Sequence, residues 1–263
     1  RAGALPGSAD WTHQHGDIGN TRKSNDARVK LPLGVLWFGG SSNADVLPRH
    51  GHGPPQQVIG GRLFIQGINK LSARDVYTGR VLWQRTFDDL GTDDVYFDET
   101  YKDTPLDPAY NQVHIPGANA RGTNYVVTED RIYIIEGNVC RVLNPATGES
   151  VQDISLPQDD PSSPRQWSYI GVYDDVLIGG LGFARYRERL GISFADEDSQ
   201  LRSSKAGFGS KSFDRAGSLA LVGFDRKTGE QLWRIDSRHS FWNNAIVAGG
   251  GLVYCLDKNP KPV

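Results

Sequence analysis

The feature that most constrains this chain is a repeated turn, Asp-x-x-Thr-Gly-x-x-x-Trp. Asp75-Val76-Tyr77-Thr78-Gly79-Arg80-Val81-Leu82-Trp83 is echoed by Asp225-Arg226-Lys227-Thr228-Gly229-Glu230-Gln231-Leu232-Trp233. A weaker copy, Asn144-Pro145-Ala146-Thr147-Gly148-Glu149-Ser150-Val151-Gln152, puts Asn in place of Asp and Gln in place of Trp. Leu33-Gly34-Val35-Leu36-Trp37 reads as the last strand of a further copy. In each unit an apolar strand enters a turn whose Asp and Thr side chains can hold backbone groups and whose Gly tolerates positive φ. The strand that leaves ends in a residue large enough to bury against a neighbouring unit.

Upstream of each turn is a second recurring pattern of strand, polar turn and strand. It occurs at Gln57–Ile65, Tyr125–Ile134, Ile170–Ile178 and Ala245–Tyr254. Hairpin after hairpin gives four antiparallel strands per unit, which is a blade of an all-β propeller. The Trp37-to-Trp83 interval is an ordinary blade length, and the next two Gly-to-Gly intervals are longer. Two insertions account for the excess: an acidic, aromatic stretch from Asp88 to Pro116, and a Gly- and Ser-rich stretch from Phe183 to Ala216. The organisation expected is an N-terminal strap and outer strand (1–40), a blade (41–87), an insertion (88–118), a blade (119–156), a blade (157–237) with its insertion at 183–216, and the start of a truncated blade (238–263). On this pattern Trp83 and Trp233 are expected to be buried against an adjacent turn, and Gln152 is not.

Composition agrees with many tight turns. There are 31 Gly, 14 Pro and 6 Trp in 263 residues, with 38% hydrophobic and 23% charged residues. A formal net charge of −2 leaves no basic field for nucleic acid. No apolar run is long enough to span a bilayer as a helix. The lack of Met and of a signal-peptide pattern at Arg1–Gly7 reads as a processed or internal piece of a longer protein.

The turn signature resembles the tryptophan-docking motif of quinoprotein dehydrogenases and of the wider pyrroloquinoline-quinone (PQQ)-like propellers, including outer-membrane assembly factors. The opening Trp11-Thr12-His13-Gln14-His15-Gly16-Asp17-Ile18-Gly19-Asn20-Thr21-Arg22-Lys23-Ser24 resembles the segment with which such propellers begin. The resemblance covers most of the chain and implies an open arc of about four blades or part-blades from a seven- or eight-bladed ring. It also implies a periplasmic or otherwise exported location, with the remainder of the propeller as a partner, in the same parent protein or another chain.

In a propeller the segments that lead into the innermost strands gather near the axis. Here they supply His50, His52, Asn119, Arg121, Arg165, Trp167, Trp242 and Asn243, a set suited to an anionic or flat aromatic ligand. The competing reading has the tryptophans packing between blades and the arginines bonding loop carbonyls. His50 and His52, like His13 and His15, have a spacing that points both rings one way on an extended segment, but no matched third ligand is present in sequence, so no metal is assigned. The acidic stretch does not match the helix-loop-helix calcium pattern. Catalytic relatives of the methanol dehydrogenase type hold PQQ under adjacent, disulfide-linked cysteines beside a Ca²⁺ or lanthanide ion. Cys140 and Cys255 are far apart in sequence. The reading is therefore a non-catalytic or cofactor-free binding or scaffolding propeller. A PQQ- and Ca²⁺-dependent oxidoreductase, whose remaining cofactor residues lie outside this chain, is the first alternative. A carbohydrate- or polymer-binding propeller is the second.

Overall fold

A computed structural model describes residues 3–39, 46, 54–67, 69–90, 124–158, 165–183 and 217–258. They form three four-stranded antiparallel sheets and one two-stranded sheet, each with its strands in chain order. The first sheet is β1 (Gln57–Ile59), β2 (Arg62–Gly67), β3 (Lys70–Asp75) and β4 (Val81–Thr86). The second is β5 (Tyr125–Val127), β6 (Ile132–Glu136), β7 (Val139–Leu143) and β8 (Ser150–Ser155). The third is β9 (Trp167–Tyr173), β10 (Val176–Phe183), β11 (Gly217–Asp225) and β12 (Gln231–Trp242). A 3-10 turn at Asn243–Ala245 leads to the pair β13 (Val247–Gly249) and β14 (Leu252–Tyr254). The two insertions fall almost wholly outside the described residues.

Because side chains alternate along a strand, each middle sheet is apolar on both faces and packs on two neighbours. Tyr125, Val127, Ile132 and Ile134 pack with Phe64, Leu71 and Ala73 of the first sheet. Their neighbours Val126, Tyr133 and Ile135 point the other way and meet Trp167, Val172, Leu177 and Phe224 of the third sheet. Tyr169, Ile178 and Leu221 then meet Phe241, Ile246 and Ala248. The sheets are thus stacked in sequence order, as blades are.

The repeated turns join these stacks. Asp75 accepts hydrogen bonds from the Tyr77 and Thr78 amides, both at 3.0 Å, and Gly79 closes the turn onto the Asp75 carbonyl with φ of 71°. The Trp37 indole donates to Val76 O at 2.9 Å, and its ring lies where a Cβ on Gly79 would be. Trp83 repeats the arrangement one sheet later. Its indole donates to Pro145 O at 3.0 Å, and a Cβ on Gly148 would stand 2.7 Å from its ring. The third junction departs from expectation. Gln152 reaches the next turn after all, donating its side-chain amide to Lys227 O at 3.0 Å, while Ile154 covers Gly229. A primary amide supplies the same N–H as an indole but no ring, so an aliphatic neighbour fills the apolar part. Trp233 is half-buried against Gly223 of its own sheet. Among the described residues no turn carbonyl receives its indole N–H.

Gly34–Gly39, expected as an outer strand, forms none among the described residues. Only Trp37 is engaged, and its flanks Leu31, Val35 and Phe38 are 85%, 81% and 92% exposed. Without a neighbouring strand there is no ladder for this segment to join. No hydrogen bond links it to β14 among the described residues, and no closed ring forms among them.

Two further devices bind the inner strands. The Gln57 side chain, fully buried, donates to Tyr125 O at 2.8 Å and accepts from the Val127 amide at 2.9 Å, so one side-chain amide works as a peptide bridge between β1 and β5. The N-terminal segment runs across one end of all four inner strands. Trp11 exchanges two 2.8 Å backbone bonds with Val58 of β1, and Thr12 O accepts from Val127 of β5 at 3.4 Å. His13 accepts from Val172 of β9 at 3.1 Å, and Ile18 O accepts from Ala248 of β13 at 3.2 Å.

Removing Trp83 (Trp83→Ala) is expected to cost about 3 kcal/mol, the low end for a large aromatic because the ring is only half-buried. Gln152→Ala is expected to cost about 1 kcal/mol, the worth of one exposed hydrogen bond. Urea unfolding monitored by circular dichroism checks both. Equal costs at the two junctions would contradict this assignment of their strengths.

Candidate functional site

The inner strands have two ends, and they differ in chemistry. The described residues singled out from sequence stand where the chain enters its inner strands. His50, His52, Asn119 and Arg121 lie outside the described residues. Of the others, Arg165 is partly exposed and donates to Gln158 Oε1 at 3.0 Å. Trp167 opens β9 and is 1% exposed, with its ring over Gly179 and 5.9 Å from the Phe224 ring. Trp242 is half-buried with Lys258 Nζ 3.8 Å from its ring centroid, a cation–π contact.

Asn243 is the centre of a buried clasp. Its Nδ2 donates to Ser168 O at 2.7 Å and its Oδ1 accepts from the Ser218 hydroxyl at 2.7 Å. Ser218 in turn accepts from the Ser168 hydroxyl at 2.8 Å. The two hydroxyls fit because position 180 is Gly, where a Cβ would lie 2.6 Å from Ser168 Oγ. The clasp fastens the 3-10 turn to β9 and β11.

Sequence reasoning did not single out Asn124, which directly precedes β5. It is fully buried, and neither of its side-chain polar atoms has a hydrogen-bond partner among the described residues. The Trp167 indole N–H at the start of the adjacent inner strand is buried and unpartnered too, as are both polar atoms of Gln66. Leaving such groups unpaired is costly, and Arg62 Nε, Arg74 Nε and Ser237 Oγ are likewise buried without a partner among the described residues, so the orphaned groups are not confined to one end. The available signal was the alternation along β5: with Tyr125 facing the first sheet, Asn124 must face the third.

At the opposite end, beside the N-terminal segment, lies an open cleft of about 480 Å³ between the second and third sheets. His13, Glu129, Asp130, Asp174 and Arg226 contribute its polar lining. The Arg226 guanidinium donates to Asp130 at 2.8 Å and to Asp174 O at 3.1 Å, so it ties the two sheets together. Burial opposes its charge, but Tyr133 and Asp130 outweigh it and hold the pKa above the ordinary arginine range. Asp10, close by, is held above the usual carboxylate range by burial, with Glu129 adding to the rise. The His13 ring is buried, and burial pushes its pKa down to about 4. The Nε2 that accepts the Val172 N–H must be unprotonated, which fits a neutral ring.

Among the described residues no three His, Cys, Asp or Glu side chains are grouped to hold a metal. Cys140 is buried and Cys255 exposed, and both are free thiols.

No family model matches the chain, and no curated protein matches it in sequence. Solved structures do match in shape. A europium-containing methanol dehydrogenase superposes with a TM-score of 0.50 at 13% identity, over 87% of this chain and 32% of its own. Quinohemoprotein alcohol dehydrogenase from Comamonas testosteroni gives 0.50 at 18% identity, over 87% of this chain and 27% of its own. BamB from Moraxella catarrhalis gives 0.34 at 13% identity, over 68% and 34%. The fold is a β-propeller arc, similar in shape to these two dehydrogenases. The chain spans about a third of the length of these structures.

In propeller terms the three four-stranded sheets are blades with β1, β5 and β9 as inner strands, β13 is the inner strand of the half-blade β13–β14, and residues 10–21 are a strap across these four strands. The strap end is held by backbone bonds and one neutral histidine, and the entry end by the Asn243 clasp.

Both ends can be tested. Since the unfolded His13 titrates near 6.5 and the folded one near 4, the unfolded state takes up the proton first. Stability is therefore full above pH 6.5 and falls as pH drops towards 4, by on the order of 3 kcal/mol in total. Urea midpoints across that range check this, and His13→Gln, which does not titrate, should flatten that part of the profile. At the other end, Asn243→Ala should cost about 2 kcal/mol by orphaning Ser168 O and the Ser218 hydroxyl. Hydrogen exchange should then rise in residues 240–249 and not in the first blade.

Proposed function

We propose that this chain is an arc of a larger quinoprotein-like propeller that serves as a non-catalytic binding or scaffolding module in an exported compartment, with the rest of the ring supplied by further polypeptide. One observation carries the reading. The described side chains best suited to an axial ligand already have partners within the chain: Asn243 in its clasp, Trp167 in the core between the second and third sheets, Trp242 under Lys258 and Arg165 on Gln158. The strap points in the same direction, since four inner strands tied by one segment make a rigid platform. The blade-joining role of Trp37 and Trp83 matches what the tryptophan-docking reading of the turn requires. No helix among the described residues is long and apolar enough to cross a membrane.

A PQQ-dependent oxidoreductase is the second reading, favoured by the unpartnered Asn124 and Trp167 groups at the entry ends. An amide and an indole N–H could meet the polar edge of a flat quinone. Among the described residues no three His, Cys, Asp or Glu side chains are grouped to hold a metal, so the calcium half of this reading draws no support from them.

Titration with PQQ and Ca²⁺, followed by quinone absorbance and by dye reduction with primary alcohols, separates the two. The scaffold reading expects neither a saturable absorbance change nor dye reduction. Stoichiometric binding accompanied by dye reduction would replace it with the oxidoreductase.

A further inference from the structure

We infer that the strap is an acid-released latch on the cleft between the second and third blades: protonation of His13 lifts residues 10–21 off the inner strands while the blades stay folded. The inference goes beyond the proposed function and does not rest on it. It also goes beyond the pH dependence of overall stability, because it says which part gives way.

The first observation is that His13 pins the strap through an atom that a proton would take. It is the only buried side chain of residues 10–21. Its ring is carried on a closed turn, in which His13 and Gly16 exchange backbone bonds of 3.4 and 3.2 Å and the Thr12 amide donates to Gly16 O at 2.8 Å. Ring and turn therefore move together. Both ring nitrogens are committed. Nε2 accepts the Val172 N–H at 3.1 Å, so the proton of the neutral ring is on Nδ1, 2.8 Å from Thr12 Oγ1. A second proton has to go on Nε2, where it faces the Val172 N–H. One hydrogen bond is then lost, and two donors are left without an acceptor beside a buried charge. Lifting the turn into water relieves all three.

The second observation is that the rest of the strap holds on weakly and separately from the blades. Thr12 O accepts from Val127 at 3.4 Å, Ile18 O from Ala248 at 3.2 Å, and Asn20 Nδ2 reaches Asn244 O and Ile246 O at 3.4 Å each. Only the Trp11–Val58 bonds are short, at 2.8 Å. The cores that join the first, second and third blades contain no residue of the strap. Thr12 and His13 do line the cleft, so lifting them removes part of its wall.

The charges around the ring do not keep it protonated in place. Asp17 on the strap favours the charged ring, and burial outweighs it. Glu129 and Asp130 from the β5–β6 turn, Asp174 from the β9–β10 turn and Arg226 from the β11–β12 turn line the same cleft, and Arg226 occupies Asp130. On the ring's other side lie His15 and Tyr169. His15 is held below the usual histidine range by burial and by Arg22, and acts in the same direction as His13 from a half-buried position. Asp10 acts against it. Its carboxyl is held above the usual range, so it takes up its proton more readily with the strap in place and opposes release as pH falls.

The test is amide exchange of the whole chain by nuclear magnetic resonance at pH 6.5 and 4.5, expressed as protection factors so that the intrinsic pH dependence of exchange is removed. Val172 and residues 11–20 report on the strap, and Ile132–Glu136 on the blades. With His13 titrating near 4 in place and near 6.5 once released, protection at Val172 is expected to fall about fortyfold. It should stay well below that of Ile132–Glu136 and change little with low urea, because a local opening exposes little surface. His13→Gln, which offers an acceptor and does not titrate, should reduce the fall to about threefold or less, whereas His15→Gln should keep most of it. Equal protection and equal urea dependence at Val172 and Ile132–Glu136 would mean that only whole unfolding frees the strap, and would overturn the inference. So would a fall that persists in His13→Gln or vanishes in His15→Gln. If His13→Gln has already lost the strap at pH 6.5, the ring signals of His13 in the unsubstituted chain decide. Their titration must track the loss of Val172 protection, and a mismatch between the two overturns the inference.

Discussion

Each blade holds its neighbour by handing one side-chain N–H across to a turn carbonyl, with a glycine cleared to receive the side chain that carries it. The turn has to be rigid for this to work. Asp75, Asn144 and Asp225 make it so by bonding the amides that come after them, and Gly79, Gly148 and Gly229 close it at positive φ. Stacking in sequence order is the consequence. With the outer strand of one sheet pinned to the turn of the next, the faces of the inner strands meet, and the alternating apolar residues of β5 and β6 find a partner on each side. The junction tolerates a change of donor, as Gln152 shows, provided an apolar side chain replaces the missing ring.

The two ends of the inner strands divide the remaining tasks. The strap end is stitched by backbone bonds in a fixed order, with His13 kept neutral by burial. The entry end combines a satisfied clasp around Asn243 with unsatisfied groups on Asn124 and Trp167. The N-terminal segment thus ties the inner strands at one end, beside the open cleft, and the Asn243 clasp fastens the turn between β12 and β13 at the other.

The fold was legible because the turn signature combines a rare residue set with a mechanism. Asp, Thr and Gly at those spacings form one kind of turn, and the Trp beyond them needs somewhere to dock. The degenerate copy is a blade and Gln152 is not buried, as its size implied, but size does not show that its side-chain N–H still reaches the next turn; Trp233, expected to be buried against an adjacent turn, is instead half-buried against its own sheet. Residues Gly34–Gly39 have strand-like composition, yet composition cannot supply the neighbour that a strand needs. The axial set was harder to read. Trp167 and Asn243 stood out as polar or aromatic residues near an axis, and whether such groups face a ligand or a core depends on tertiary contacts. The face of Asn124 could be read from the alternation along β5, but its lack of partners among the described residues is a property that no sequence displays.

The central claim is that indole N–H groups bond turn carbonyls where a following blade is complete, and not at the third blade. Indole hydrogen exchange of the six tryptophans by nuclear magnetic resonance addresses it directly. Slow exchange is predicted for the Trp37 and Trp83 indoles and fast exchange for Trp233. Free exchange at Trp83, or protection at Trp233 equal to that at Trp83, would contradict it.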